Sequence, residues 1–180
     1  LALVEGQQNI HVATKVEQHE EGLLPAGMYQ AKLNLNKNIL NVPSFNYSAN
    51  AAGSLSGNAR IELPQEKRQL KWAAVLNAKN LNTQSIAAAS PVDRLNGQVK
   101  ANGYAQPNQQ IIKLNSVDLT GRLAEQNETV RLTGNSTIAL LFHNEKAGGG
   151  FKGYAVNYDG ALSASQLKAS QGLLKLRVSG

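Results

Sequence analysis

The side chains able to do chemistry are few and poorly placed for it. Three histidines occur, His11, His19 and His143. None stands in a His-Glu-x-x-His pattern or at another metal-ligand spacing. Glu17, His19, Glu20 and Glu21 crowd together, but they read as a solvated turn rather than a ligand set. The segment Gly53-Ser54-Leu55-Ser56-Gly57 has two serines between glycines, yet it does not match the Gly-x-Ser-x-Gly nucleophile elbow. It also lies inside an alternating run that turns both serines to the wet face. Gly148-Gly149-Gly150 is not followed by Lys-Ser or Lys-Thr, so it reads as a hairpin tip rather than a phosphate loop. With no cysteine, thiolate zinc sites and thiol nucleophiles are excluded. No spacing pairs the carboxylates for acid–base work. The expectation is a non-enzyme without metal or cofactor.

Composition bounds the remaining classes. The chain has 180 residues, one domain's worth, and is expected to be a single β-domain over 1–180. Aromatics make up only 5% of it. No apolar run is long enough to span a membrane as a helix. The opening Leu1-Ala2-Leu3-Val4-Glu5 lacks the basic and apolar regions of a signal peptide and an initiator Met. The expectation is a segment of a longer chain. Net charge is +6, which favours anionic partners. Lys32, Lys71, Lys100, Lys113, Arg131, Lys152 and Arg177 sit singly between apolar residues, and only Lys67-Arg68 are adjacent. Such spacing suits the wet faces of strands. A nucleic-acid surface would cluster its cations beside exposed aromatics, so no nucleic-acid partner is expected.

The elements that must position any site announce themselves by period two. From Phe45, the odd positions run Tyr47, Ala49, Ala51, Gly53, Leu55, Gly57, Ala59, Ile61 and Leu63. One unbroken strand of that length would reach roughly 60 Å, so Gly53 is expected to mark a bend or bulge. Similar rows begin at Tyr29, Leu70, Leu95, Val130 and Tyr154. Ile10, Val12 and Val16 open the chain, and Leu174, Leu176 and Val178 close it. Turn signals stand at Asn102-Gly103, Gln106-Pro107-Asn108, Glu125-Gln126-Asn127, Asn144 to Gly150, and Asp159-Gly160. Short connections predict antiparallel neighbours. Asn82 or Thr83 could cap a short helix over 82–90, ending before Pro91.

A loose motif, an apolar residue followed two positions later by Gly, recurs at Leu55, Leu95, Leu119, Leu132 and Phe151. Glycines on an apolar face predict a strongly curved sheet with little room on its concave side. Something must cover the apolar faces. A closed barrel, a sandwich and a folded-over sheet with an open apolar interior all satisfy that need. Rows of Ala and Gly drive close packing weakly, at about 25 cal/mol per Å² of buried apolar surface. An open interior explains such rows better, but a sandwich is the default for an antiparallel sheet of this size, so at this point the alternatives stay open.

Residues 71–82, Lys71-Trp72-Ala73-Ala74-Val75-Leu76-Asn77-Ala78-Lys79-Asn80-Leu81-Asn82, carry a resemblance. It continues from Ser90-Pro91-Val92-Asp93-Arg94 into Leu95-Asn96-Gly97-Gln98-Val99-Lys100-Ala101-Asn102-Gly103. A Trp-bearing strand, a short Leu-Asn segment and then Leu-x-Gly-x-Val-x-Ala-x-Gly resemble the TamB (translocation and assembly module subunit) family. That family belongs to the AsmA-like group of bacterial envelope proteins. The resemblance covers roughly residues 40 to 140.

The resemblance implies a long all-β periplasmic structure of a Gram-negative bacterium. Its parent would be anchored in the inner membrane by a helix outside this segment. The implied fold is a curved, folded-over antiparallel sheet, shaped like a taco, with an apolar concave groove. The implied partners are phospholipid acyl chains in transit between the two membranes, or nascent outer-membrane β-barrel clients, together with a TamA-like outer-membrane barrel. No catalytic residue is implied. The groove candidates are Phe45, Tyr47, Leu55, Ile61, Leu63, Trp72, Leu76, Leu95, Val99, Leu132, Ile138 and Leu140. The competing expectation is a structural or adhesive β-sandwich or β-solenoid with a packed core and no ligand.

Overall fold

The computed structural model describes residues 8–16, 27–49, 53–64, 69–85, 90, 92–106, 108–123, 128–142, 150–164 and 172–179. The fold is all-β. Ten strands form one curved, unclosed antiparallel sheet whose spatial order is the chain order. They are β1 (Gln8–Val16), β2 (Gly27–Asn36), β3 (Ile39–Ala49), β4 (Gly53–Glu62) and β5 (Leu70–Asn82). The second half is β6 (Val92–Gln106), β7 (Gln109–Leu123), β8 (Glu128–Phe142), β9 (Phe151–Ala164) and β10 (Gly172–Ser179). Among the described residues each strand pairs only with its sequence neighbours, and β1 does not pair with β10, so the sheet does not close into a barrel.

The long run from Phe45 to Leu63 is not one strand bent at Gly53. It is a hairpin, with Phe45 opposite Gly57 and Ala49 opposite Gly53. Three residues separate Ala49 from Gly53, an odd number, so both strands keep odd positions on one face. Periodicity alone therefore runs through the reversal without a break. Two expected turns are also absent: Asn102-Gly103 lies inside β6 and Asp159-Gly160 inside β9. Gln106-Pro107-Asn108 does mark a reversal, with Gln106 opposite Gln109. At the β2–β3 turn Lys37 adopts a left-handed φ of 51°. The turn carbonyls of Asn38 and Asn108 accept bonds from Leu63 N at 2.8 Å and Phe142 N at 3.0 Å. Each thus fastens the end of the second strand along.

Of the helix expected over 82–90, the described residues hold a single 3-10 turn, Thr83–Ser85. Asn82 does cap it, accepting from Gln84 N at 3.0 Å. Residues 86–89, the Glu17–Glu21 stretch and residues 143–149 lie outside the described residues.

Of the inserted residues that interrupt the register, two act together. On β3, Val42 pairs with Ala59 but Phe45 pairs with Gly57, leaving one residue extra. On β7, Lys100 faces Ser116 while Ala101 faces Leu114, so Asn115 is extra. These bulges lie on one transverse line, because Asn58 faces Val75, Val75 faces Lys100 and Lys100 faces Ser116. A bulge bends its strand and increases the local twist. Two on one line place a crease across the strands between them.

No large side chain among the described residues is fully buried. A packed sandwich of this size would contain several, because facing sheets interdigitate their inner side chains. The described sheet is a single layer.

Candidate functional site: the uncovered apolar face

Register assigns faces, because directly opposed residues in an antiparallel pair project to the same side. From β2 to β9 one transverse row reads Tyr29, Tyr47, Leu55, Ala78, Gly97, Leu119, Leu132, Leu162. The next reads Ala31, Phe45, Gly57, Leu76, Val99, Val117, Gly134, Gly160. A third, from β3, runs Val42, Ala59, Ala74, Ala101, Leu114, Ser136, Tyr158. A fourth runs Leu35, Leu40, Ile61, Trp72, Gly103, Ile112, Ile138, Val156. No Asp, Glu, Lys or Arg stands in these rows.

Eleven of the twelve sequence candidates share this face. Tyr47, Leu55 and Leu132 fall in the first row, Phe45, Leu76 and Val99 in the second, and Ile61, Trp72 and Ile138 in the fourth. Leu95 faces Leu81 at one margin, and Leu140 faces Tyr154 at the other. Leu63 lies just past the end of β4 and is 36% exposed. Tyr47 is buried, at 5% exposure, beside Tyr29 with ring centroids 4.9 Å apart. The other ten are half-buried. Toward the open edges the face is barer: Ile10 and Val12 on β1 and Leu162 on β9 are exposed by 41–44%.

Sequence reading missed residues that the bulges carry onto this face. Leu40, Val42, Ile112 and Leu114 are even-numbered, whereas Phe45, Tyr47, Val117 and Leu119 are odd. On β5, Ala78 faces Gly97 while Leu81 faces Leu95, so parity slips there as well. Asn80, in this bulge, takes a left-handed φ of 52°, and its N–H donates to Asn96 Oδ1 at 2.7 Å. The available signal was the phase slip in the apolar alternation at 42–45, 78–81 and 114–117.

Five glycines on the face lie against aromatic rings. A Cβ at Gly57 would stand 2.8 Å from the Phe45 ring, and one at Gly103 would stand 2.8 Å from the Trp72 indole. Tyr47 lies against Gly27 in the same way, and Tyr158 against Gly134 and Gly160. The rings therefore lie down across the sheet. This flattening accounts for glycine within strands at Gly103 and Gly160, where sequence alone suggested turns.

Polar atoms on the face are directed into the backbone. Ser136 Oγ donates to the Asn157 carbonyl at 2.8 Å, and Tyr158 Oη donates to the Thr133 carbonyl at 2.7 Å. Partial burial also raises the Tyr29, Tyr47 and Tyr158 phenols above their ordinary value, with nearby Tyr47 and Asp159 adding to the effect at Tyr29 and Tyr158 respectively. All three stay neutral at ordinary pH. Such a face offers dispersion contact and water exclusion, not acid–base chemistry. Among the described residues no group of three potential metal ligands occurs.

Apart from Glu128, buried opposite Leu123 at the margin of the apolar face, the charges of the paired strands stand mainly on the opposite face. Arg131 grips Asp118 through two bonds of 3.0 Å, and Arg122 grips Asp93 through both carboxylate oxygens. Hydrogen bonding from each arginine holds its aspartate below the ordinary carboxylate value.

No protein-family model, no curated protein and no solved structure matches the chain.

Proposed function

We propose that the chain is a non-catalytic segment of a TamB-like envelope protein whose apolar face shields phospholipid acyl chains between the inner and outer membranes. One observation carries the reading: four charge-free transverse rows cross eight or nearly eight strands without a described layer over them. Covering such a face with hydrocarbon recovers about 25 cal/mol per Å². An acyl chain asks for no hydrogen bonds in return, and the face has few left to offer. Nascent outer-membrane strands, with one apolar side, are the other client of matching chemistry. In this reading the segment works in the periplasm of a Gram-negative bacterium. Its parent is anchored in the inner membrane and meets a TamA-like outer-membrane barrel. The resemblance over 71–103 supports that setting.

The test is a photo-crosslinking residue in place of Leu132, in cells. Phospholipid adducts are expected. Intramolecular adducts alone would favour a packed structural or adhesive module, and adducts to outer-membrane proteins alone would favour client strands. Asp at Ile61, Leu63 and Leu132 together should abolish lipid adducts at a fourth site such as Val99 while far-UV circular dichroism still reports a sheet. Survival of those adducts would refute the shielding role.

A further inference from the structure

The opposite, polar face has an order that the apolar-face reading does not use. One transverse row places cations at every third strand: Arg60 on β4, Lys113 on β7 and Arg177 on β10. Carboxamides stand at every third strand too: Asn41 on β3, Asn102 on β6 and Asn157 on β9. Ala73 and Thr137 fill β5 and β8, so from β3 to β10 the row repeats as amide, cation, small residue; beyond β3 it runs on through two further amides, Asn34 on β2 and Asn9 on β1, outside that repeat. No carboxylate stands in it. Strands lie about 4.8 Å apart, so like charges recur every ~14 Å and the repeat extends roughly 34 Å.

The row runs through two depressions. One, of about 510 Å³, sits at the crease between the bulges, over Ala73 and Val75, with Arg60, Lys100, Asn58 and Asn115 around it. The other, of about 500 Å³, lies at the β8–β10 end, with Arg177, Asn157 and Thr137 along the row and Asp159 beside it. Acids elsewhere on this face are engaged, Asp93 by Arg122 and Asp118 by Arg131. Glu62, 3.5 Å from Arg60, is the acid nearest the first depression's cations among the ion pairs seen.

We infer that this row binds an extended anionic polysaccharide lying across the strands. Cations at regular intervals fit a linear polyanion. Carboxamides both donate and accept, as sugar hydroxyls require. The strand spacing is comparable to the rise of one sugar along an extended chain. Nucleic acid fits less well, since no aromatic side chain stands in the row to stack a base. The inference is independent of the apolar-face reading, because it uses the other side of the sheet.

Oligogalacturonate titrated into the chain at low salt, by calorimetry, tests it. Binding is expected, and neutral dextran should give none. Gln at Arg60, Lys113 and Arg177 together should weaken binding about tenfold or more, with a shallower salt dependence. A control with Gln at Lys32, Lys79 and Lys152 loses the same charge from other rows and should retain most of the affinity. All six side chains are exposed, and Trp72 fluorescence checks that both variants fold. Equal weakening of the two variants would reduce the effect to net charge and overturn the proposal. So would failure of the unaltered chain to bind, or tighter binding of single-stranded DNA or phosphatidylglycerol vesicles.

Discussion

At the scale of residues, small and large side chains are matched across strands. Gly103 lets the indole of Trp72 lie flat, and a methyl there would meet the ring and the Ile111 carbonyl. Gly103→Ala should therefore cost about 1–3 kcal/mol, the usual penalty of overpacking. A lower urea midpoint together with a shifted emission of Trp72, the chain's sole tryptophan, would show it; an unchanged midpoint would show that the ring is not seated there. Charge matters differently. Asp93 and Asp118 are held below the ordinary 3.8 by Arg122 and Arg131. A depressed folded-state value means that both pairs contribute fully above the unfolded value and lose their contribution as pH falls through the folded one. Carboxyl resonances of both should titrate below 3.8 in an NMR pH series, and each should return toward it in Arg122→Gln or Arg131→Gln. Asp118 and both arginines are exposed, and Asp93 is only partly covered, so the stability involved is small and screened by salt.

At the scale of elements, the bulges decide which side chains meet. In a strand, a slip of one residue exchanges the two faces. Deleting Asn115 removes the extra residue of β7 and must send either Ile112 and Leu114 or Val117 and Leu119 to the polar side. Losing two buried or half-buried aliphatic contacts, at about 1 kcal/mol each, predicts a cost on the order of 2 kcal/mol. Thermal denaturation would measure it, and a neutral deletion would mean that β7 does not carry the register described. The reading of 45–63 as one strand bent at Gly53 failed for a different reason, at the connection rather than at a bulge. A three-residue connection preserved parity through a reversal, whereas the bulges broke parity where the chain ran on. Alternation reports the face of each residue, and neither the direction of the chain nor its partners.

At the scale of the whole molecule, the sheet is a layer with two unlike surfaces. An apolar face with no described cover should bind the dye ANS in the native state, before any unfolding transition. Asp at Ile61 and Leu132 should reduce that binding several-fold at unchanged sheet content. Native protein that leaves the dye dark would instead indicate a covered face. The two faces also separate the two proposed ligands. Charge changes at Arg60, Lys113 and Arg177 should leave lipid crosslinking intact, and apolar-face changes should leave polyanion binding intact.

The sequence by itself determined the class of this fold, its wet and dry faces, and eleven residues that do share the dry one. It could do so because period two is local: each side chain's face follows from the pleat of its own strand. What only the tertiary structure decided was non-local. Strand order, the hairpin hidden within 45–63, and the rings lying over glycines from neighbouring strands all depend on pairing between distant residues. So does the row of amides and cations on the polar face. Its members stand on separate strands, from Asn9 on β1 to Arg177 on β10, and only register brings them into line.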